Sequence, residues 1–245
     1  MKTSNKLIIA ALLLILVSLI CFDYSLKKEF VSGRYKDTYR SFVTLKFKNF
    51  DVVDINSSTA VNVKFVQGPF SIKIDSNALE YARIKQQGKL LQIDADFEQN
   101  YRFNPHPYIL VISCPKLVEV NTNAAYTANH KLVIDTIVRD DWNMRQVLIE
   151  GFKQDSLSIS QDYGSTVVLA NDHIRSVNAV VGKSEGSLSK IIIQKSNQFQ
   201  DITLDIRNKS KLLLNDAVIH QLNYHLADSA KLILTGAAQN ILKKQ

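Results

Sequence analysis

The chain has 245 residues, 46% hydrophobic and 22% charged, with eight Gly, four Pro and two Cys, which suits a folded domain and excludes a disordered chain, a disulfide-built miniprotein and a Cys-rich zinc module. Its net charge of +7 lies mostly at one end: residues 1–41 hold seven basic and three acidic side chains, +4, and the rest only +3. A nucleic-acid reader places such an excess on its folded part, where phosphate contacts supply affinity, so nucleic acid is not an expected partner.

The first element is apolar. Leu7 to Phe22 runs sixteen residues without a charge, about 24 Å as a helix, a little short of a ~30 Å hydrocarbon core. Lys2 and Lys6 precede it. Cleavage as a signal peptide requires small residues at positions −3 and −1, and neither Ser18-Leu19-Ile20 nor Leu19-Ile20-Cys21 supplies them. Ile20 likewise stands where a small residue should precede a lipidated Cys21. The expectation is an uncleaved anchor over residues 1–22 whose partner is the lipid bilayer, steadied at the headgroups by Tyr24, Lys27 and Lys28. Residues 23–41 read as a basic juxtamembrane linker. Counting positive charges would hold the following domain in the cytoplasm, but long domains cross largely regardless of charge. An extracytoplasmic, periplasmic domain on a single-pass inner-membrane anchor is therefore expected.

From residue 42 onward the pattern is strand. Val43, Leu45 and Phe47 alternate with polar residues, as do Val61, Val63 and Phe65. Gln67-Gly68-Pro69 reverses the chain into Phe70–Ile74, and Gln86-Gln87-Gly88-Lys89 turns Tyr81–Lys85 into Leu90–Asp94. Tyr108 to Cys114 is apolar almost throughout, which predicts a strand covered on both faces and ended by Pro115. Asn77–Ala82 is a short helix-like stretch.

The second half repeats. Leu204-x-Ile206 and Leu212-x-Leu214 return twenty positions later as Tyr224-x-Leu226 and Leu232-x-Leu234. Earlier copies are Leu157-x-Ile159 with Val167-x-Leu169, and Val177-x-Ala179 with Ile191-x-Ile193. First strands are thus spaced 20, 27 and 20 residues and second strands 24, 21 and 20, with an enlarged turn around Gly182–Ser189. Each unit has one apolar face that it cannot bury alone. Stacking units ~4.8 Å apart makes those faces a continuous core. The predicted fold is all-β: a parallel β-solenoid over residues 42–245, with N-terminal strands and hairpins at 42–120 and repeat rungs at 121–245. Ile159, Ile206 and Leu226 are expected in one inward column, and Leu169, Leu214 and Leu234 in another. The competing architecture is an antiparallel sandwich.

The anchor, the stretch Phe47–Ile74 (FKNFDVVDINSSTAVNVKFVQGPFSIKI), Tyr108–Leu117 (YILVISCPKL) and the closing Asp228–Leu242 (DSAKLILTGAAQNIL) resemble the auto-transporter adhesin head, or GIN, domain family over about residues 42–242. That resemblance implies an exported all-β repeat domain of bacterial envelopes with no established catalysis and no transferable site residues. This chain departs from the pattern in its few glycines: Asn171 and Asp216 stand where Gly236 stands in the last unit. Both residue types tolerate the left-handed turn conformation.

Few residues suggest chemistry. Gly182-Lys183-Ser184-Glu185-Gly186 matches the G-x-S-x-G nucleophile elbow, and Ser184, Asp216 and His220 follow in triad order. The elbow needs a helix after its Ser, whereas Leu188–Ile193 is strand-like, so an enlarged turn is the preferred reading. A P-loop would need Gly at position 177, which is Val. His106, His130, His173, His220 and His225 are scattered, with no pair at ligand spacing. Asp140-Asp141, between Arg139 and Arg145, suits a salt-bridged turn better than a calcium site. No catalytic residue, cofactor or metal is therefore assigned. The candidate ligand contacts are Trp142, Tyr126 and Tyr163, as stacking surfaces for a sugar ring; against this, Trp142 could plug an open end of the core.

The expected function is a non-catalytic envelope interaction or scaffolding module whose partner is an envelope protein or glycan. The alternative is a polysaccharide-binding or polysaccharide-degrading β-helix protein. Such enzymes cluster acids or bases on one face, while the outward positions here (Ser158, Ser160, Asp205, Arg207, His225, Ala227) are mixed. Self-association through the last unit is a further possibility, since only Asn240-Ile241-Leu242 and three polar residues follow it.

Overall fold

The computed structural model describes residues 3–33, 36–98, 108–136, 145–217, 219 and 221–243, with side chains to residue 240. The chain divides into two units, Met1–Phe42 and Val43–Gln245. The first is built on helix α1, Thr3–Ser32, none of whose residues is buried. By length and composition it can cross a membrane, and it runs ten residues beyond Phe22, so residues 23–32 are helical. Gly33, at φ 68°, ends it, its N–H reaching Phe30 O at 3.2 Å. A left-handed glycine after the last turn is a common helix stop because it has no Cβ to clash.

The second unit is mostly β. In chain order its strands are β1 (Phe42–Leu45), β2 (Val52–Ile55), β3 (Val63–Gln67), β4 (Ser71–Asp75), β5 (Ala82–Gln87), β6 (Leu90–Phe97), β7 (Leu110–Cys114), β8 (Glu119–Thr122), β9 (Ala125–Ala128) and β10 (Lys131–Ile134). There follow β11 (Val147–Glu150), β12 (Lys153–Gln161), β13 (Thr166–Ala170), β14 (His173–Val181), β15 (Lys190–Gln194), β16 (Gln198–Ile206), β17 (Lys211–Asn215), β18 (Gln221–Leu226) and β19 (Lys231–Thr235). From β11 onward the chain alternates between two sheets. Sheet A has the order β1-β4-β7-β3-β11-β13-β15-β17-β19 and sheet B the order β10-β9-β6-β2-β8-β12-β14-β16-β18.

Both sheets are open and mixed. Successive repeat strands pair in parallel, β11–β13–β15–β17–β19 in sheet A and β12–β14–β16–β18 in sheet B. Parallel pairing also reaches into the first half, through β7–β3–β11 and β6–β2–β8–β12. Antiparallel pairs occur at β4–β7, β5–β6 and β9–β10. The turn at Gln67–Pro69 does reverse the chain, but β3 and β4 are not neighbours, because β7 lies between them. The β5–β6 hairpin is as expected, with Gly88 at φ 59° in its turn. β7 is not covered on both faces: Leu110, Ile112 and Cys114 are buried, while Val111 and Ser113 are half-buried.

The core is a set of stacked columns. In sheet A, Ile112, Phe65, Ile149, Leu169, Ile193, Leu214 and Leu234 are register partners in turn. Leu214 is fully buried and Leu234 packs against the same core. In sheet B the expected column needs correction. Ile159 aligns with Val120, Ala179, Leu204 and Tyr224, whereas Ile206 and Leu226 align with Val181 and Gln161. The equivalent first-strand positions are Leu157, Val177, Ile202 and Leu222. A strand repeats every two residues, so an alignment slipped by two leaves the apolar pattern unchanged. Each fully buried aliphatic contributes roughly 1.5–3 kcal/mol.

The turns follow the same stacking. Gly151, Asn171, Asp216 and Gly236 all have positive φ, 80°, 57°, 52° and 56°, so Asn and Asp do substitute for glycine at this corner. Gly182 cannot be replaced so easily. Its φ is 83°, and an added Cβ would overlap the Ser210 hydroxyl and approach Arg207 O at 2.7 Å. At Gly186, φ is 79° and nothing lies within 4 Å of that position. Gly186→Ala should therefore cost about 1 kcal/mol from backbone strain alone, and Gly182→Ala about 3 kcal/mol as overpacking adds to it. Thermal unfolding of the two variants should separate them in that order; equal losses would show that the Ser210 contact yields.

Candidate functional site

Of the three aromatic candidates, Trp142 lies outside the described residues. Tyr126, on β9, is half-buried and meets Phe97 edge-on at 5.8 Å. Burial and the nearby Asp135 carboxylate push its hydroxyl pKa up, and Arg145 opposes them. Asp135 and Arg145 form a mostly buried ion pair at 3.0 Å. Gly164 N–H donates to Asp135 O at 2.9 Å, so the Tyr163–Gly164 turn abuts the same end of β10. Tyr163 sits at φ 48°, and its carbonyl accepts from Leu188 N–H at 3.0 Å and Ser189 Oγ at 2.9 Å. The structure thus brings Tyr126 and the Tyr163 turn to one region, where the backbone of Tyr163 fastens the enlarged turn.

That enlarged turn is held by a different carboxylate from the one its motif suggests. Ser184 donates its hydroxyl to Asp162 Oδ2 and its N–H to Asp162 Oδ1 at 3.0 Å. Burial pushes the Asp162 carboxyl up, but these bonds, with those of Tyr163 and Ser187, outweigh it and hold the pKa below its ordinary value. Asp216 instead pairs with Lys195 at 2.9 Å and accepts Ala237 N–H at 2.7 Å. His220 lies outside the described residues, as do His106 and Asp140-Asp141. Ser184 and Asp216 therefore have separate partners, and strand β15 follows the turn where an elbow would have a helix. Among the described residues no three His, Cys, Asp or Glu side chains cluster as metal ligands. Cys114 is buried, with its thiol pushed up to about 12 by burial and by the charge of Asp51.

The outer faces of the two sheets differ in chemistry. On sheet B one outward column runs Glu119, Ser158, Asn178, Thr203, Asn223, and the next Asn121, Ser160, Val180, Asp205, His225. Asp205 Oδ1 contacts His225 Nδ1 at 2.9 Å, and its Oδ2 accepts from Arg207 Nε at 2.7 Å. On sheet A the outward column is aliphatic: Leu148, Val168, Ile192, Leu213 and Ile233 are successive register partners. It spans roughly 19 Å at ~4.8 Å per rung. Thr166, Lys190, Lys211 and Lys231 form the column on one side. On the other, Thr235 donates to Asn215 at 2.8 Å and Asn215 to Gln194 at 2.9 Å, an amide ladder. Val168 in this stripe is buried, at 5% exposure, Leu148, Ile192 and Leu213 are half-buried, and Ile233 reaches 39%. Sequence reasoning considered only the alternating inward set. The signal was present in the unbroken triplets Val167-Val168-Leu169, Ile191-Ile192-Ile193, Leu212-Leu213-Leu214 and Leu232-Ile233-Leu234.

One corner of the stack holds buried polar groups that the sequence did not flag. Asp172 is fully buried; Phe152 N–H donates to its Oδ1 at 2.8 Å, and its own N–H goes to Asn197 Oδ1 at 3.0 Å. Its Oδ2 has no partner among the described residues. Burial pushes the carboxyl pKa up to about 7, against the pull of the Phe152 N–H. Beside it lies a concavity of about 650 Å³, lined by residues including His173, Arg175, Lys195, Asn197 and Gln198. Its cations are engaged, Arg175 with Asp155 at 3.6 Å and Lys195 with Asp216.

No family model matches the chain. Among curated proteins, reticulocyte-binding protein homolog 1 of Plasmodium falciparum is 25% identical over 216 residues, 85% of this chain; the chain spans 7% of that protein's length. Among solved structures, a Bacteroides fragilis protein provisionally described as an adhesin is 12% identical, with a TM-score of 0.42 over 79% of this chain and 96% of that one. A Parabacteroides distasonis protein provisionally described as lipid-binding is 12% identical, with a TM-score of 0.35 over 80% and 94%.

The buried carboxyl has a measurable consequence. Because its folded pKa lies above the unfolded value of ~3.9, the stability it contributes is complete below about pH 4 and is lost as pH rises through about 7. The loss is bounded by about 4 kcal/mol. Asp172→Asn keeps the shape and removes the titration. The melting temperature of the variant relative to the parent should rise steadily between pH 4 and 8; a difference that stays flat across that window would show that Asp172 ionises freely.

Proposed function

We propose that this chain is a membrane-anchored, non-catalytic interaction module of a bacterial envelope, a β-solenoid of the adhesin-head (GIN) type whose domain lies outside the cytoplasm. The observation that carries the interaction reading is the outward aliphatic column of sheet A. Solvent-facing strand positions are ordinarily polar; sheet B follows that rule except at Val180, while sheet A breaks it at the partly or fully exposed Leu148, Ile192, Leu213 and Ile233, with the buried Val168 between the first two. An ordered apolar stripe bordered at its more exposed end by Lys211 and Lys231 and by an amide ladder has the make-up of a recognition surface, an apolar centre within a polar rim. The resemblance over residues 42–242 supports the envelope setting, and the apolar α1 supports the anchor. On this reading α1 is a retained single-pass span of the inner membrane, and Trp142, Tyr126 and Tyr163 belong to a secondary contact region for an envelope protein or glycan.

Two measurements test this. Tagged full-length chain, recovered with its partners from solubilised envelopes, should lose at least tenfold of a specific captured protein or glycan on combining Leu213→Glu with Ile233→Glu, while Ser158→Glu on sheet B leaves capture intact. Equal capture by both variants would remove sheet A as the contact face. A phosphatase reporter active only outside the cytoplasm, fused after Gln245, should be active; an inactive fusion beside an active cytoplasmic reporter would place the domain on the inner side.

A further inference from the structure

Among the described residues both sheets stop on the same rung: β18 has only β16 as a neighbour and β19 only β17. The backbone of a parallel strand directs successive residues to alternate sides. Ala227 N–H donates to Ile206 O at 2.9 Å, Lys231 N–H donates to Ser210 O at 3.0 Å, and Thr235 O accepts Asp216 N–H at 3.0 Å. The N–H and C=O groups that face the rung below thus belong to the odd-numbered residues. Those of Leu222, Tyr224 and Leu226 in β18, and of Leu232 and Leu234 in β19, point to the open side. No described residue bonds to them there.

The same five side chains close the core, and they close it incompletely. One rung inward, Ile202, Leu204, Ile206, Leu212 and Leu214 are at most 1% exposed; Leu222, Tyr224, Leu226, Leu232 and Leu234 are only half-buried. The 3₁₀ segment Gly236–Lys243 buries Ala238 and leaves the rest of this rung in that half-open state. The rung is an interior unit in composition, with neither the polar outer face of a capping repeat nor the proline or inward charge that protects open edges. At the other end the sheets finish differently, on β1 beyond β4 and on β10 beyond β9, with β5 paired to β6 off the main order.

We infer that this rung pairs with the same rung of a second copy about a two-fold axis, β18 antiparallel to its counterpart and β19 antiparallel to its own. Two rows of unpaired backbone groups, a core's width of ~10 Å apart, require a partner with two strand edges at that separation. This face is itself such a partner. A two-fold axis normal to the sheets sets sheet A on sheet A and sheet B on sheet B with strand direction reversed, joins the two half-open cores, and closes without further growth. Two short strands bury less than the ~800 Å² per partner of a standard interface, so association is expected at micromolar concentration. The outer column of sheet A takes no part, and this inference stands apart from the function proposed above.

Sedimentation of the full-length chain in detergent micelles from 1 to 100 µM, taken as about the range of a weak interface, should show a monomer–dimer equilibrium. Tyr224→Pro removes an edge donor that has no partner, which edge strands tolerate, and Leu232→Lys sends a charge into the half-open core end. Each should weaken the dimer at least tenfold while circular dichroism keeps the β signal. In a Cys21→Ser background, Asn223→Cys or His225→Cys should form an intermolecular disulfide on mild oxidation, and Ser158→Cys, on the same outer face but an interior rung, should not. A monomer throughout the range would overturn the inference. So would a dimer indifferent to both edge substitutions, which would assign association to α1, or one that crosslinks equally through Ser158→Cys.

Discussion

The fold depends on parallel pairing of like with like. Once a unit of two strands lies in register on its predecessor, every inward aliphatic falls on the equivalent aliphatic of the rung below. The column from Ile149 to Leu234 then forms between successive units, and Phe65 and Ile112 extend it through pairing of strands distant in sequence. Hydrogen bonding sets the ~4.8 Å spacing, and at that spacing side chains of similar size fill space without voids. The turn positions largely inherit the same order: left-handed residues recur at Gly151, Asn171, Asp216 and Gly236, interrupted at Lys195.

Stacking imposes costs where the chain turns between sheets. Ser165, Ser189 and Ser210 are fully buried at equivalent corner positions; Ser165 and Ser189 share a hydrogen bond, while the Ser210 hydroxyl has none among the described residues. Gln161 occupies an inward position held elsewhere by Val181, Ile206 and Leu226, and its amide reaches Lys190 O at 3.1 Å. A stack can carry such groups because each sits between backbone carbonyls and amides of adjoining rungs, which supply most of the missing partners. Asp172 has one carboxylate oxygen served by Phe152 N–H and the other unserved among the described residues, and its environment favours the neutral acid.

Much of this was legible from the residues. The strands of the second half, the twenty-residue return of the last unit and the exchange of Asp216 for glycine follow from periodicity and turn chemistry. The registers of sheet B did not, because Ile202, Leu204 and Ile206 offer three equivalent inward positions and a slip of two residues is invisible to a period of two. Non-sequential neighbours such as β3 beside β11 are set by tertiary pairing, which no local pattern encodes. The outward stripe was hidden for a related reason: in Leu212-Leu213-Leu214 an apolar middle residue reads as a doubly covered strand until the second sheet is known to lie on one side only. The enlarged turn at Ser184 was read as such, but its partner was not, since the bond to Asp162 joins residues 22 apart in sequence and neither flanks the other.

The near-constant rise of each unit gives the molecule the property of a ruler. Since Lys211–Asn215 and Lys231–Thr235 are interchangeable in register, gain or loss of a whole twenty-residue period alters the height by ~4.8 Å and leaves every remaining contact in kind. A change of one or two residues instead displaces a turn from its column. A whole-period insertion would therefore lengthen each outer column by one position without changing which side chains face outward.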